Sequence, residues 1–245
     1  MPAAGPPVFL VPPGALRAGV VTLTGPEGHH AAAVRRLRAG ERADLSDGAG
    51  TLAAAVVTGV GKDTVTLEIH AVHAVQEPRP RLAVAQALPK GDRGELAVEL
   101  MTEVGVDVVI PWAAARSITK WQAERGAKAL GRWRATAREA AKQSRRAWLP
   151  EVTELCGTNA VAKRGTTACA IVLEADAPAK LHELPLPDSG EILLLVGPEG
   201  GISPAERDSL REAGAVEARL GPTVLRTSTA GAAAAAILLS RVGRW

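Results

Sequence analysis

Two side chains stand where their surroundings favour chemistry. Glu199 lies inside a glycine loop, Gly197-Pro198-Glu199-Gly200-Gly201, with no lysine or arginine beside it. A carboxylate there can accept hydrogen bonds from a ribose or order the loop backbone. Arg226 lies on a second Gly-Pro loop, Leu220-Gly221-Pro222-Thr223-Val224-Leu225-Arg226-Thr227-Ser228-Thr229-Ala230. A planar cation with five donors at a pocket rim suits an anionic or carbonyl-rich substrate, or else caps strand carbonyls. Neither loop holds a histidine, so neither carries an evident general base.

The elements that must position these loops are readable from periodicity. Ile192-Leu193-Leu194-Leu195-Val196 precedes the first loop and reads as a strand buried on both faces. Ser203-Pro204-Ala205-Glu206 follows it and opens a helix, with Ser203 as N-cap, Pro204 at the first helical position and Glu206 at the capping-box spacing. Glycines between a buried strand and a helix N-terminus let a ligand approach the backbone closely. The second loop follows a short strand at 216–220 and leads into an alanine-rich helix at 229–242. Two such loops at one end of a parallel sheet form one pocket.

Strands are expected also at 82–88, 106–110 and 168–173, and helices at 94–104 and 121–148. This alternation implies a parallel sheet flanked by helices, an α/β class whose ligands sit at the carboxyl ends of the strands. In the long helix Leu130, Trp133, Ala137, Ala141 and Ser144 share one face, which makes Trp133 a core residue rather than a platform for bases. Upstream, short strands at 8–11, 20–24, 41–46, 51–60 and 64–72 with a helix at 28–37 read as a small barrel-like β domain over residues 1–74. Residues 76–80, with two prolines, are the expected linker, and 75–245 the second domain.

Charge is unevenly spread. The net +3 hides a basic run between 116 and 146, with ten basic side chains against two acidic ones, whereas residues 166–245 carry seven basic and ten acidic. Such a run suits a phosphate backbone or simply makes a solvated helix face. Arg35, Arg36 and Arg38 form a smaller basic cluster after His29 and His30. His70 and His182 have no local motif partner and read as structural. Cys156 and Cys169 lack metal-ligand spacing, and no apolar run is long enough for a membrane span. The expectation is a cytoplasmic protein with no metal, no disulfide and no membrane segment. The absence of Tyr and the single Phe remove the usual aromatic platforms for single-stranded RNA.

Taken together, LLLVGPEGGIS and LGPTVLRTSTA resemble the signature of the RsmE family of bacterial rRNA methyltransferases, in the SPOUT superfamily. The resemblance extends to HHAAAVRRLRAGE near residue 30, KGDRGELAVELMTEVGV at 90–106, AARSI at 114–118 and EAAKQSRRAWLPEV at 139–152. It implies a PUA-like β-barrel domain followed by an α/β SPOUT domain with a trefoil knot. It also implies S-adenosylmethionine-dependent N3-methylation of one uridine in 16S rRNA of the small ribosomal subunit, by a homodimer. Carried onto this chain, the cofactor contacts are Leu173, Glu174, Leu195, Val196, Gly197, Pro198, Glu199, Gly200, Gly201, Leu220, Gly221, Val224, Leu225, Arg226, Thr227, Thr229 and Ala230. Arg226 and Glu199 become the catalytic candidates. Arg35, Arg36, Arg38, Arg116, Arg132, Arg138, Arg145 and Arg146 become the RNA contacts. Two departures stand out. Ser228 replaces the glutamate of the family's usual Arg-Thr-Glu-Thr-Ala, leaving Glu199 as the nearby carboxylate, and Pro7-Val8-Phe9 replaces an early Arg-Phe-Phe. A ribose 2′-O-methylating SPOUT enzyme and a non-catalytic RNA-binding assembly factor are the competing readings; Val224-Leu225-Arg226-Thr227 does not fit the Asn-Leu-Ser-type motif of the former.

Overall fold

The computed structural model describes residues 5–245, which form two compact units. The first comprises the chain up to Glu77 together with Ala141–Leu149, and the second comprises Pro78–Ala140 and Pro150–Trp245. A single cut at 74/75 therefore does not separate them.

In the first unit, β1 (Val8–Leu10), β3 (Arg42–Ser46), β4 (Thr51–Val60), β5 (Val65–Ala74) and β2 (Gly19–Leu23) form one sheet in that order. β1 runs parallel to β3, and every other pairing is antiparallel. Register shifts in β4–β5 at Ala54/Ala55 and Val57/Gly59 bend the long hairpin around a core that includes Phe9, Leu23, Leu45, Leu67 and Ile69. The helix expected at 28–37 starts earlier and is broken. α1 (Gly25–His29) gives way to one π turn (His30–Val34), after which Arg36 adopts a left-handed φ of 54°. Residues 141–149 attach through backbone bonds, with Gly50 donating to the Ala147 carbonyl and Leu149 to that of Gly48, and through the Trp148 indole donating to the Val75 carbonyl.

In the second unit, six parallel strands run in the order β11 (Val216–Ala218), β9 (Cys169–Leu173), β10 (Glu191–Val196), β6 (Arg81–Ala87), β7 (Val108–Trp112), β8 (Glu151–Val152). The apolar run of β10 is divided between two faces. Ile192, Leu194 and Val196 join a core with α2 (Arg93–Val104), α3 (Ala123–Gln143) and α6 (Thr227–Arg241); Leu193 and Leu195 join another with α4 (Thr158–Gly165) and α5 (Pro204–Glu212). Both faces are thus covered by helices, as an all-parallel sheet requires. Trp133 is 2% exposed, inside the first of these cores. The helix expected at 121–148 is shorter, and the strand expected at 106–110 sits two residues later. The helix at 158–165 and the two-residue β8 have no counterpart among the expected elements.

Strand order carries the functional consequence. The chain moves outward from β6 to β7 and β8, then crosses to β9 and returns to place β10 beside β6. That reversal is a topological switch point, where crevices open at the carboxyl ends of the strands.

Candidate active site

A cavity of about 400 Å³ opens at those carboxyl ends. Three segments build its wall. Leu173, Glu174 and Ala175 leave β9; Val196 to Glu199, Gly201 and Ile202 leave β10; and Leu220, Gly221 and Thr223 to Thr227, with Ala230, lead into α6. The volume lies in the range of small-molecule and cofactor sites.

The loop after β10 is held from several directions. Ser203 caps α5, and its backbone N–H and hydroxyl both donate to the Glu206 carboxylate in the expected capping box. Thr227, the first residue of α6, donates its hydroxyl to the Gly197 carbonyl. The Glu199 carboxylate accepts the Lys90 backbone N–H at 3.1 Å, so it ties this loop to the one before α2 while remaining on the cavity wall. Arg116 Nη1 donates to the Gly200 carbonyl at 3.1 Å. On the β9 side, Glu174 stands 3.9 Å from Arg207, which forms a bidentate pair with Glu217 at 2.8 and 2.6 Å. The Arg207 hydrogen bonds hold the Glu217 carboxyl below its ordinary value.

Three residues of the expected cofactor set are off the wall. Leu195 points into the α4–α5 core, Gly200 packs against Arg116, and Thr229 turns its hydroxyl back to the Arg226 carbonyl at 3.1 Å. Four wall residues fell outside that set: Arg93, Ala175, Ile202 and Thr223. Arg93 and Thr223 lie inside the quoted motifs, so those motifs held the signal. Ser228 is 1% exposed in the first turn of α6, off the wall, and its hydroxyl has no hydrogen-bond partner among the described residues. Where the resemblance leads to a carboxylate being expected, this chain thus has a small buried hydroxyl.

The basic run is largely committed to internal partners. Besides Arg116, Arg132 pairs with Glu95 at 2.7 Å and Arg145 with Asp44 at 2.6 Å, and Arg138 and Arg146 are not free either. These bonds tie much of the 116–146 run to partners within the protein. Arg35, Arg36 and Arg38 are all exposed, and their guanidinium groups have no partner among the described residues. No cluster that could hold a metal occurs among those residues, and no helix there is long and apolar enough to cross a membrane.

The RNA methyltransferase domain model matches residues 76–239, and the RNA methyltransferase PUA domain model matches 23–69. Ribosomal RNA small subunit methyltransferase E of Mycobacterium bovis is 44% identical over 231 residues, covering 92% of this chain and 88% of its own. This chain belongs to that methyltransferase family. The namesake from Bacillus subtilis is 33% identical, with 85% of each chain covered. Among solved structures, the family member from Neisseria gonorrhoeae, bound to S-adenosyl methionine, superposes with a TM-score of 0.87 at 30% identity, covering 96% of this chain and 98% of its own. A methyltransferase from Legionella pneumophila in complex with the cofactor SAM gives 0.87 at 27% identity. The mixed fold described above, a PUA-like unit and a parallel-sheet RNA methyltransferase unit, is that of the family.

Proposed function

We propose that this protein transfers a methyl group from S-adenosylmethionine to N3 of one uridine in 16S rRNA of the small ribosomal subunit. The observation that carries the reading is the convergence of three strand-end loops on one cavity with Arg226 on its wall, in a chain of the methyltransferase E family. The cavity fits the methyl donor chemically. Leu173, Val196, Ile202, Leu220 and Leu225 offer apolar walls for a purine, Glu174 offers an acceptor for ribose hydroxyls, and the glycine loop exposes main chain. Bound there, the donor supplies an electrophilic methyl carried on a sulfonium.

The remaining chemistry falls to the chain's own side chains. Uracil N3 is a weakly acidic imide, and losing its proton puts negative charge on the flanking carbonyl oxygens. Arg226, exposed and without a side-chain partner among the described residues, is the cation on the wall suited to hold that charge. Glu199 orders the loop through Lys90. We place the work in the cytoplasm and on a homodimer, with residues 1–74 as the PUA-like RNA-binding domain.

The test is methyl transfer from labelled S-adenosylmethionine to assembled small subunits, naked 16S rRNA and tRNA, followed by nucleoside analysis. The expected product is 3-methyluridine, confined to the ribosomal substrates. A 2′-O-methylated product, or cofactor binding with no product, overturns the assignment.

For the RNA contacts, Arg35, Arg36 and Arg38 take the leading role because no partner among the described residues competes for them. From the long run, Arg132, 64% exposed at its side chain despite its pairing with Glu95, adds to them. Each phosphate contact adds roughly one to the slope of log affinity against log salt concentration. Replacing Arg35, Arg36 and Arg38 by glutamine is therefore expected to reduce that slope by about 2 to 3. A filter-binding titration between low and moderate salt reads it directly, and an unchanged slope would remove these three from the interface.

A further inference from the structure

The geometry points to Glu206 as a positioning residue that, through Arg116, holds the glycine loop in its ligand-binding shape. Glu206 is a buried carboxylate, 8% exposed, and the partners of its oxygens are all neutral. Oε1 accepts the Ala115 backbone N–H at 2.8 Å and the Thr158 hydroxyl at 2.7 Å; Oε2 accepts the Ser203 N–H at 3.1 Å and the Ser203 hydroxyl at 2.7 Å. A helix cap needs only the Ser203 pair. The bonds to Ala115 and Thr158 reach two other segments, the loop after β7 and the start of α4. Thr158 in turn accepts the Trp112 indole N–H at 3.1 Å. Burial pushes the Glu206 carboxyl up, but the hydrogen bonds from Ser203, Ala115 and Thr158 outweigh it and leave the group below its ordinary value, ionised at neutral pH.

The chain then closes a ring. Fixing the Ala115 amide fixes the next residue, Arg116, whose guanidinium donates to the Gly200 carbonyl while its stem lies along Gly200. A Cβ on Gly200 would come within 3.3 Å of Arg116 Cβ, so a glycine suits this contact. From Glu206 the ring runs through Ala115, Arg116, Gly200 and Ser203 back to Glu206, and it encloses the stretch whose Gly201 and Ile202 line the cavity. The bond to Gly200 gives Arg116, a side chain expected on RNA, this internal role.

This inference rests on the cavity being the S-adenosylmethionine site, and the experiment separates the two. Calorimetry on Glu206→Gln, Glu206→Ala and Arg116→Ala, well below their unfolding temperatures, gives the affinity for S-adenosylmethionine, and filter binding gives that for RNA. Glutamine keeps one acceptor oxygen, so the expected weakening is about 10-fold for Glu206→Gln and greater for Glu206→Ala. Arg116→Ala is expected to weaken cofactor binding by about 10-fold with RNA affinity and its salt slope unchanged. In turnover, the KM for S-adenosylmethionine rises more than kcat falls, a split that mere loss of stability does not produce. Gly221→Phe serves as the control, because a Cβ there meets nothing within 4 Å and the ring then fills the cavity. If Gly221→Phe binds S-adenosylmethionine normally, the cavity assignment falls and the ring's role with it. If it abolishes binding while the Glu206 and Arg116 variants bind like the wild type, the ring alone is overturned. Loss of RNA affinity in Arg116→Ala with cofactor affinity intact overturns it equally.

Discussion

Replacing Arg226 by alanine is expected to lower kcat by about 100- to 1,000-fold, the usual consequence of removing one preorganised donor from a site of developing negative charge. The structure makes this a clean substitution. Arg226 serves as N-cap of α6 through its carbonyl, which accepts the Thr229 and Ala230 backbone N–H groups at 3.0 and 2.9 Å, and its side chain takes no part in the cap. Alanine keeps those backbone bonds. The guanidinium is exposed and has no partner among the described residues, so its removal strands no buried charge. Cofactor affinity is therefore expected to stay within a few-fold of wild type, and the loss to fall on the chemical step. Lysine keeps the charge but not the planar fork and should recover only part of the rate. Single-turnover kinetics at saturating S-adenosylmethionine, with calorimetry on the same preparation, measures both quantities. Unchanged turnover with intact cofactor binding would leave Arg226 without a chemical role.

Much of this site was legible because its markers are local. An unbroken apolar run ending in Gly-Pro can be read without knowing what packs on it, and so can Ser203 three residues before Glu206. The α3 side of the first core was equally visible, since Leu130, Trp133 and Ala137 recur at helical spacing. The failures share a different cause. Arg93 lies on the cavity wall about a hundred residues before the glycine loop, and the motif that contains it marks it while no local spacing shows the approach. The internal pairings of the basic run were not legible, because Arg132, Arg145 and Arg116 take partners far away in sequence, Glu95, Asp44 and the Gly200 carbonyl. Charge counted along a chain cannot register a neutralisation that only folding creates. The two-residue β8 and the eight-residue α4 are too short for periodicity to declare them. Glu206 shows the same limit from the other side. The capping box gave its local role, whereas its bonds to Ala115 and Thr158 exist only because β7 and α4 are brought to the same corner.

Trp133→Ala is expected to destabilise the second unit by about 3–5 kcal/mol, the range for truncating a large buried aromatic. The indole meets Trp121 edge to face, with ring centroids 4.9 Å apart and planes at 80°, and lies against Gly94 in the first turn of α2. A Cβ at Gly94 would come within 2.7 Å of Trp133 Nε1, so α2 approaches the ring as closely as a glycine allows. Glycine inside a helix costs about 1 kcal/mol relative to alanine, and here that cost secures close contact with the ring. Deleting the ring opens a void beneath the same turn that carries Arg93 to the cavity wall. The urea midpoint of the second unit should therefore fall, and cofactor affinity, measured under native conditions, should weaken several-fold as Arg93 loses its footing. Phenylalanine refills most of the void and should restore most of both losses, since volume-conserving apolar replacements are the best tolerated in cores. A wild-type urea midpoint in Trp133→Ala would mean that the core closes over the gap. A lowered midpoint with unchanged cofactor affinity would instead show that Arg93 is held by the helix backbone and not by the ring beneath it.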